Sequence, residues 1–205
     1  MTVTQIEAVA GKKTKYKVFL DGQPAFVLYK GELSRYHIRE GIVLDTEVLE
    51  QINEAIKKRA KLRALHLLKA MERTENQLRA KLEENGYPKE AVQEALEYVK
   101  SFGYVDDGGY ARRFAESRKR SKSKREIQSL LLQKGLSREE VECALEEVYK
   151  SQDSLEAIQR LAEKRHYDPA TATFAEKQKL FAYLTRKGFR YEDIRQVIQV
   201  PDWNA

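Results

Sequence analysis

The chain has 205 residues, of which 34% are charged and 41% hydrophobic, with 38 Lys and Arg against 32 Asp and Glu. No apolar run reaches the roughly 20 residues that a membrane-spanning helix needs, and the first residues lack the basic and apolar regions of a secretory signal. With a single cysteine and three scattered histidines, the sequence excludes an intrachain disulfide and a zinc site of the usual kind, and we expect a cytoplasmic protein.

The N-terminal 44 residues predict a small β-rich extension. Apolar and polar side chains alternate from residue 15 to residue 20, which is typical of a strand with one buried face. Asp21-Gly22 and a second apolar run follow, which indicates a hairpin, and residues 3 to 9 are expected to add a third strand. Because Gln23-Pro24 comes directly after the glycine, we predict a hairpin loop of more than two residues. A sheet this small needs a helix to pack against.

Residue 45 begins a region in which we predict only helices. Asp45 suits an N-cap, and apolar residues then recur at helical spacing, which predicts a linking helix over 45–60. From residue 61 onward the helical spacing continues with few prolines, and no strand pattern returns. The fold class is therefore predicted to be mostly α.

A repeat of about 50 residues runs through this helical region. Residues 78–87 match residues 127–136 at an offset of 49, and a third copy follows 53 residues later. Each copy has apolar residues on one helix face, then a glycine that ends the helix because it can adopt positive φ, then another apolar residue. The three glycines are Gly86, Gly135 and Gly188.

Capping boxes recur at the helix starts, where Ser or Thr is followed three residues later by Glu or Gln. They begin at Thr74, Ser123 and Ser137. We therefore predict tandem three-helix repeats that stack as an elongated, curved array, a shape that suits an extended partner. The predicted repeats span residues 61–102, 103–151 and 152–205.

Positive charge is concentrated in one part of the sequence, which we call the basic segment. Residues 111–125 hold eight cations against the single acid Glu116, although the net charge of the whole chain is only +6. Such a segment indicates a polyanionic partner, namely nucleic acid, an acidic protein surface or anionic lipid, and a solvated surface without a partner is the alternative. A mixed target of DNA phosphates and acidic protein surface fits the segment best. The predicted partner-binding residues are Arg112, Arg113, Arg118, Lys119, Arg120, Lys122, Lys124 and Arg125.

The placement of these cations favours a partner. Residues 118–120 are predicted near the end of a helix, where positive charge is favourable in any case. Lys124 and Arg125 are predicted in the first turn of the next helix, where positive charge opposes the helix dipole by roughly 0.3–1 kcal/mol. No aromatic residue lies among the cations after Phe114, which argues against base stacking and for contacts with a nucleic-acid backbone.

Motifs typical of catalysis are absent from the sequence. There is no Gly-x-x-x-x-Gly-Lys phosphate loop and no His-Glu-x-x-His motif. Asp106-Asp107 suits an N-cap better than a metal site, because no second acidic cluster accompanies it. Trp203 is expected to hold the C-terminal tail against the third repeat. We therefore predict a protein that is not an enzyme and has no catalytic residue, metal or cofactor.

Three short motifs resemble one family. Gly103-Tyr104-Val105-Asp106-Asp107, followed by Tyr110-Ala111 and later by Lys187-Gly188-Phe189, resembles the RecX family of recombinase modulators, and the resemblance covers essentially the whole chain. Gly108-Gly109 departs from the family pattern. Because each glycine weakens a first helical turn by roughly 0.5–1 kcal/mol, we predict that this helix starts late, near Tyr110.

The resemblance implies a non-enzymatic regulator of the RecA recombinase. Family members lodge along the groove of the RecA–DNA filament, where they restrain ATP hydrolysis and strand exchange and promote filament disassembly. The implied partners are the RecA filament and DNA, the latter through backbone contacts. A general DNA-binding helical-repeat protein unrelated to RecA is the alternative. Nothing in the sequence indicates oligomerisation, so we expect a monomer.

Overall fold

Residues 1–199 are described by the structure, which is a computed structural model, and Trp203 therefore lies outside the described residues. The chain divides into two units, Met1–Val105 and Asp106–Ala205. The first unit contains three strands and four helices, and the second contains six helices within residues 106–199.

The N-terminal sheet is antiparallel with the strand order β1-β2-β3, which confirms the predicted hairpin and third strand. The hairpin loop has only two residues, so the predicted longer loop was wrong. Asp21 and Gly22 have φ values of 48° and 80°, which a tight turn requires. Pro24 is tolerated inside its strand because that strand lies at the sheet edge. The strands are β1 (Val3–Ala8), β2 (Lys15–Leu20) and β3 (Gln23–Tyr29).

One hydrophobic core joins the sheet to the helices of the first unit. Val18 and Leu28 of the sheet belong to the same buried cluster as Ile52, Leu78 and Leu96 of the helices. This arrangement provides the helix that a small sheet needs. The helices are α1 (Lys30–Arg35), α2 (Thr46–Ala70), α3 (Glu75–Glu84) and α4 (Lys89–Ser101).

Helix α2 is continuous across residue 60, where the sequence analysis placed the end of the linking helix. Its buried face repeats every three or four residues through Ile52, Ile56, Ala60, Ala64 and Leu67. Neither Gly nor Pro interrupts this stretch. The predicted linking helix and the first helix of the first repeat are therefore one helix.

The second unit contains two helical triplets, each with its own core. Ile127, Leu131 and Leu145 lie in one buried cluster, and Ile158 and Leu184 lie in another. The prediction of three-helix repeats behind a small N-terminal sheet is confirmed. The helices are α5 (Asp107–Arg118), α6 (Lys124–Gln133), α7 (Arg138–Val148), α8 (Ser151–Glu163), α9 (Phe174–Arg186) and α10 (Tyr191–Ile198).

The start of α5 differs from the prediction. The helix begins at Asp107 rather than near Tyr110, and Asp106 is its N-cap, as the sequence analysis predicted for this acid. The Asp106 carboxylate accepts a hydrogen bond from the Gly109 amide at 2.9 Å. A Cβ on Gly109 would collide with that carboxylate. The glycine therefore permits the cap that starts the helix, which outweighs its low helix propensity.

The predicted capping residues all lie at helix N-caps. Thr74 and Ser137 form reciprocal capping boxes, as predicted, and Thr173 forms a third box that the sequence analysis missed. The Ser123 hydroxyl accepts a hydrogen bond from the Glu126 amide, but the Glu126 carboxylate does not accept one from the Ser123 amide, so this capping box is incomplete. The Glu126 Oε1 atom pairs with Lys122 and lies 3.5 Å from Lys187 Nζ, whereas its Oε2 atom is buried without a hydrogen-bond partner within residues 1–199.

The end of α9 packs tightly against the start of α6. The Ser123 hydroxyl, which is 1% exposed, donates a hydrogen bond of 2.6 Å to the Lys187 carbonyl oxygen. Gly188 follows with φ +83°, and a Cβ there would lie 3.1 Å from Ser123 Oγ and 3.2 Å from Arg125 Cβ. This contact joins the second and third repeats within one unit.

Substitution of Gly188 tests how much stability depends on this contact. We expect Gly188→Ala to lower the free energy of unfolding by about 2 kcal/mol, because it combines an unfavourable positive φ with a steric conflict. Gly103→Ala is the matched control, since Gly103 has φ +70° after α4 and open space around it, and we expect a loss of about 1 kcal/mol. Urea denaturation followed by far-ultraviolet circular dichroism measures both values. An equal loss of unfolding free energy in the two variants would contradict tight packing of Gly188 against α6.

Candidate polyanion interface

The basic segment occupies the end of α5, the connection after it and the start of α6. Helix α5 ends at Arg118, so Arg118, Lys119 and Arg120 lie at its C-terminal end, as predicted. Helix α6 begins at Lys124, so Lys124 and Arg125 lie in its first turn, also as predicted. The eight cations are therefore close in the chain, but their surroundings differ.

Lys119 has a structural environment. Its Nζ lies 3.1 Å from the Glu116 carboxylate and 3.4 Å from the Asp153 carboxylate, and its side chain is only 18% exposed. The hydrogen bond with Glu116 raises the pKa of Lys119 above the usual lysine value, and Asp153 adds to the effect. Lys119 thus links the end of α5 to α8 and is poorly placed to contact a partner.

Lys122 is also engaged inside the protein. Its ammonium group pairs with the Glu126 carboxylate, which Lys187 Nζ approaches at 3.5 Å. The backbone carbonyl of Lys122 accepts a hydrogen bond of 3.2 Å from the Tyr149 hydroxyl, and burial raises the pKa of Tyr149 to about 12. These contacts fix the connection between α5 and α6, so Lys122 supports the site rather than contacting a partner.

The arginines of α5 lie on an exposed surface. Arg112 is 3.7 Å from the Glu147 carboxylate, with both side chains about half exposed, and Arg113 is exposed. Arg118 lies over the ring of Phe114 at 5.4 Å, and Lys134 lies over the other aromatic of this helix, Tyr110, and over Phe114. Because cations already cover these rings, they are poor platforms for stacking bases.

Four cations of the basic segment are exposed and form no ion pair within residues 1–199, and one of them, Arg118, instead covers the Phe114 ring. The other three are Arg120, Lys124 and Arg125. A surface cation without an intramolecular partner adds nothing to fold stability through pairing. These side chains are consequently the members of the basic segment best placed to contact an external anion.

Lys124 and Arg125 border a groove of about 560 Å³ whose walls come from both repeats of the second unit. Lys150 at the N-cap of α8 and Arg190 at the N-cap of α10 line the same groove. The sequence analysis missed these two cations because they are remote in the chain from the basic segment. Their position at helix starts, where positive charge is unfavourable, was a signal that could have indicated them.

Within residues 1–199, no three His, Cys, Asp or Glu side chains are close enough together to hold a metal ion. Cys143 is exposed, with its Sγ 3.7 Å from the Glu147 carboxylate. No helix within residues 1–199 is both long enough and apolar enough to cross a bilayer.

Comparison with family models places all three helical repeats in one family. The model described as "RecX, first three-helix domain" matches residues 60–98. The models for the second and third three-helix domains of RecX match residues 106–145 and 151–198. Each match coincides with one of the helical triplets in the structure.

Curated relatives and solved structures agree with this result. The chain is 34% identical to the regulatory protein RecX of Caldanaerobacter subterraneus subsp. tengcongensis, over 92% of this chain and 94% of that protein. It is 28% identical to the regulatory protein RecX of Clostridium botulinum (strain Alaska E43), over 96% and 94% of the two chains. A crystal structure of regulatory protein RecX superimposes with TM-score 0.65 at 27% identity, covering 97% of this chain and 98% of that one. RecX from Lactobacillus salivarius shares the fold, with TM-score 0.61 over 71% of this chain.

Lys119 and Arg120 are neighbours in the chain, but the first is paired inside the protein and the second is exposed, so substitutions at these two positions test that difference. We expect Lys119→Gln to lower the free energy of unfolding by about 0.5–1 kcal/mol, because it removes contacts with Glu116 and Asp153. Arg120→Gln is the control, and its effect should stay within about 0.5 kcal/mol because the side chain is exposed. Thermal denaturation measures both. A larger loss for Arg120→Gln than for Lys119→Gln would refute the division.

Proposed function

The chain belongs to the RecX family of regulatory proteins, and on this premise we propose that it is a non-enzymatic regulator of the RecA recombinase. It binds the RecA filament on DNA and inhibits ATP hydrolysis and strand exchange, so that the filament persists for a shorter time. This activity serves DNA repair and recombination in the cytoplasm, and the protein acts as a monomer.

The observation on which the proposal rests is the agreement of all three helical triplets with the three RecX domain models. Tandem helical repeats present long surfaces and suit an extended ligand such as a filament. The exposed cations of the second unit supply the attraction that a polyanionic filament requires. Both features belong to binding rather than to catalysis.

Several acidic and tyrosine side chains make contacts that stabilise the fold, which also supports a binding role rather than a catalytic one. Asp106 caps α5, and the Tyr149 hydroxyl donates to a backbone carbonyl. Glu126 pairs with lysines between two repeats. Each of these groups has a structural contact that accounts for its position in the fold.

The DNA-dependent ATPase of RecA tests the proposal. We expect the purified protein to slow ATP hydrolysis by RecA on single-stranded DNA in a concentration-dependent manner. Reversal of exposed charge should raise the half-inhibitory concentration about tenfold or more, which corresponds to a loss of at least about 1.4 kcal/mol of binding free energy. The substitutions, which spare the structural Lys119 and Lys122, are Arg112→Glu, Arg118→Glu and Arg120→Glu.

A matched variant controls for the change in net charge. It reverses three exposed lysines of the first unit, Lys12, Lys13 and Lys58, and we expect its inhibition to stay near that of the wild type. A wild-type protein without any effect on the RecA ATPase would contradict the proposal. If that protein still bound DNA tightly, a general DNA-binding helical-repeat protein would be the better assignment.

A further inference from the structure

We propose that the groove bordered by the starts of α6, α8 and α10 binds the phosphodiester backbone of a nucleic acid. The phosphate-contacting side chains are Lys124, Arg125, Lys150 and Arg190. Two of these belong to the basic segment, and the other two are the N-caps of α8 and α10, which are helices of the third triplet. The inference rests on the proposed function, because it names the part of the regulator that contacts the DNA of the filament.

The four cations occupy positions that the fold itself disfavours. Lys124 and Arg125 lie in the first turn of α6, and Lys150 and Arg190 are the N-caps of α8 and α10. Positive charge at the start of a helix opposes the helix dipole. Four such placements around one groove therefore reduce stability unless an anion binds there.

The first repeat shows that the fold does not require these cations. At the offset of 49 residues, Thr74 corresponds to Ser123, and both are buried N-caps of the second helix in their repeats. The residue after Thr74 is Glu75, whereas the residue after Ser123 is Lys124. The same structural position thus has an acid that suits the dipole in one repeat and a cation in the other. The cation is a property of the second repeat rather than of the fold.

The charge in the groove is not neutralised by the protein. None of the four cations forms an ion pair with a side chain of residues 1–199, and Lys150 Nζ donates only to the Glu146 carbonyl oxygen at 3.1 Å. Among the described lining residues the only acid is Asp193. Its carboxylate accepts a hydrogen bond of 2.7 Å from the buried Ser154 hydroxyl, which directs it into the wall between α8 and α10.

The remaining lining residues favour a backbone over bases. Ser151 and Gln128 add neutral hydrogen-bond donors to the groove, and such groups commonly contact phosphate oxygens. The aromatic lining residues, Tyr149 and Phe189, are only 8% and 6% exposed, so neither offers a ring face for a base to stack on. We therefore expect binding that depends on phosphates and is indifferent to base sequence.

The groove depends on the contact between the two repeats. The Ser123 hydroxyl bonded to the Lys187 carbonyl, and Gly188 packed beside Arg125, hold α6 next to the connection that leads into α10. Arg190 follows only two residues after Gly188. Because the same junction positions cations from both repeats, neither repeat alone provides the complete set.

Fluorescence anisotropy with labelled oligonucleotides tests the inference without recombinase. The full-length protein is titrated into an oligothymidylate and into an oligoadenylate of equal length at several sodium chloride concentrations. Removal of four phosphate contacts should weaken binding roughly tenfold or more at low salt, and the slope of log K against log[salt] should become shallower by about 3 on single strands. The groove variant combines Lys124→Gln, Arg125→Gln, Lys150→Gln and Arg190→Gln.

A charge-matched control variant separates the groove from net charge. It removes four exposed lysines of the first unit, through Lys12→Gln, Lys13→Gln, Lys58→Gln and Lys69→Gln, and its salt slope should stay near the wild-type slope. The melting temperature of the groove variant should be unchanged or higher, since cations are removed from helix starts. Loss of binding with a retained melting temperature would support the inference and exclude misfolding as the cause.

Other outcomes would overturn the inference. Wild-type affinity in the groove variant would remove the groove from DNA binding, and equal loss in both variants would assign the effect to net charge. A groove variant that binds DNA normally but no longer binds RecA would identify an acidic protein surface as the occupant. A strong preference between the two oligonucleotides would contradict backbone recognition.

Assays of the RecA ATPase distinguish this inference from the proposed function. If the wild type inhibits the ATPase while the groove variant retains full DNA affinity, the groove assignment fails and the regulatory function stands. If the wild type leaves the ATPase unaffected while the groove variant loses DNA affinity, the groove assignment stands and the regulatory function fails.

Discussion

The close approach of two helix ends is the constraint on which the second unit depends. The Ser123 hydroxyl is buried, yet its hydrogen-bonding capacity is satisfied twice, by the amide it caps and by the Lys187 carbonyl. A buried hydroxyl without partners is unfavourable, so the cap of α6 requires the end of α9. The two repeats are therefore held together by a buried hydrogen bond as well as by packing. The groove between them results from that contact.

Positive charge in this protein has two different roles that a count of lysines and arginines cannot separate. Lys119 and Lys122 are partly buried and paired with carboxylates that belong to neighbouring elements. Lys124 and Arg125 are exposed, and the acids of residues 1–199 form no ion pair with them. Surface ion pairs contribute little to stability, and we propose that the second group serves external binding. The basic segment therefore consists of a paired structural part and an adjoining exposed part, and the binding role that we propose belongs to the exposed part.

Local chemistry explains why much of the fold could be predicted from the sequence. Helix ends at Gly135 and Gly188 and the cap at Ser137 depend on residues within a few positions of each other. The errors arose where distant parts of the chain decide the outcome. Pro24 fits its strand only because that strand is at the sheet edge, and Lys150 and Arg190 join the groove only through the packing of the repeats. The error at Gly109 is the exception, because there a local contact with Asp106, three residues earlier, outweighs helix propensity.

The N-terminal sheet shares the core of the first unit with its helices. Gly86, which ends α3, lies so near β3 that a Cβ would come within 2.8 Å of a Val27 methyl group. Arg59 of α2 donates to the Val27 carbonyl oxygen at 3.2 Å and pairs with Glu32 at 2.7 Å. A gene shortened ahead of α2 would thus encode a protein with bare apolar surface on that helix. We therefore expect a relative without the sheet to have different residues at the α2 positions that the sheet covers here.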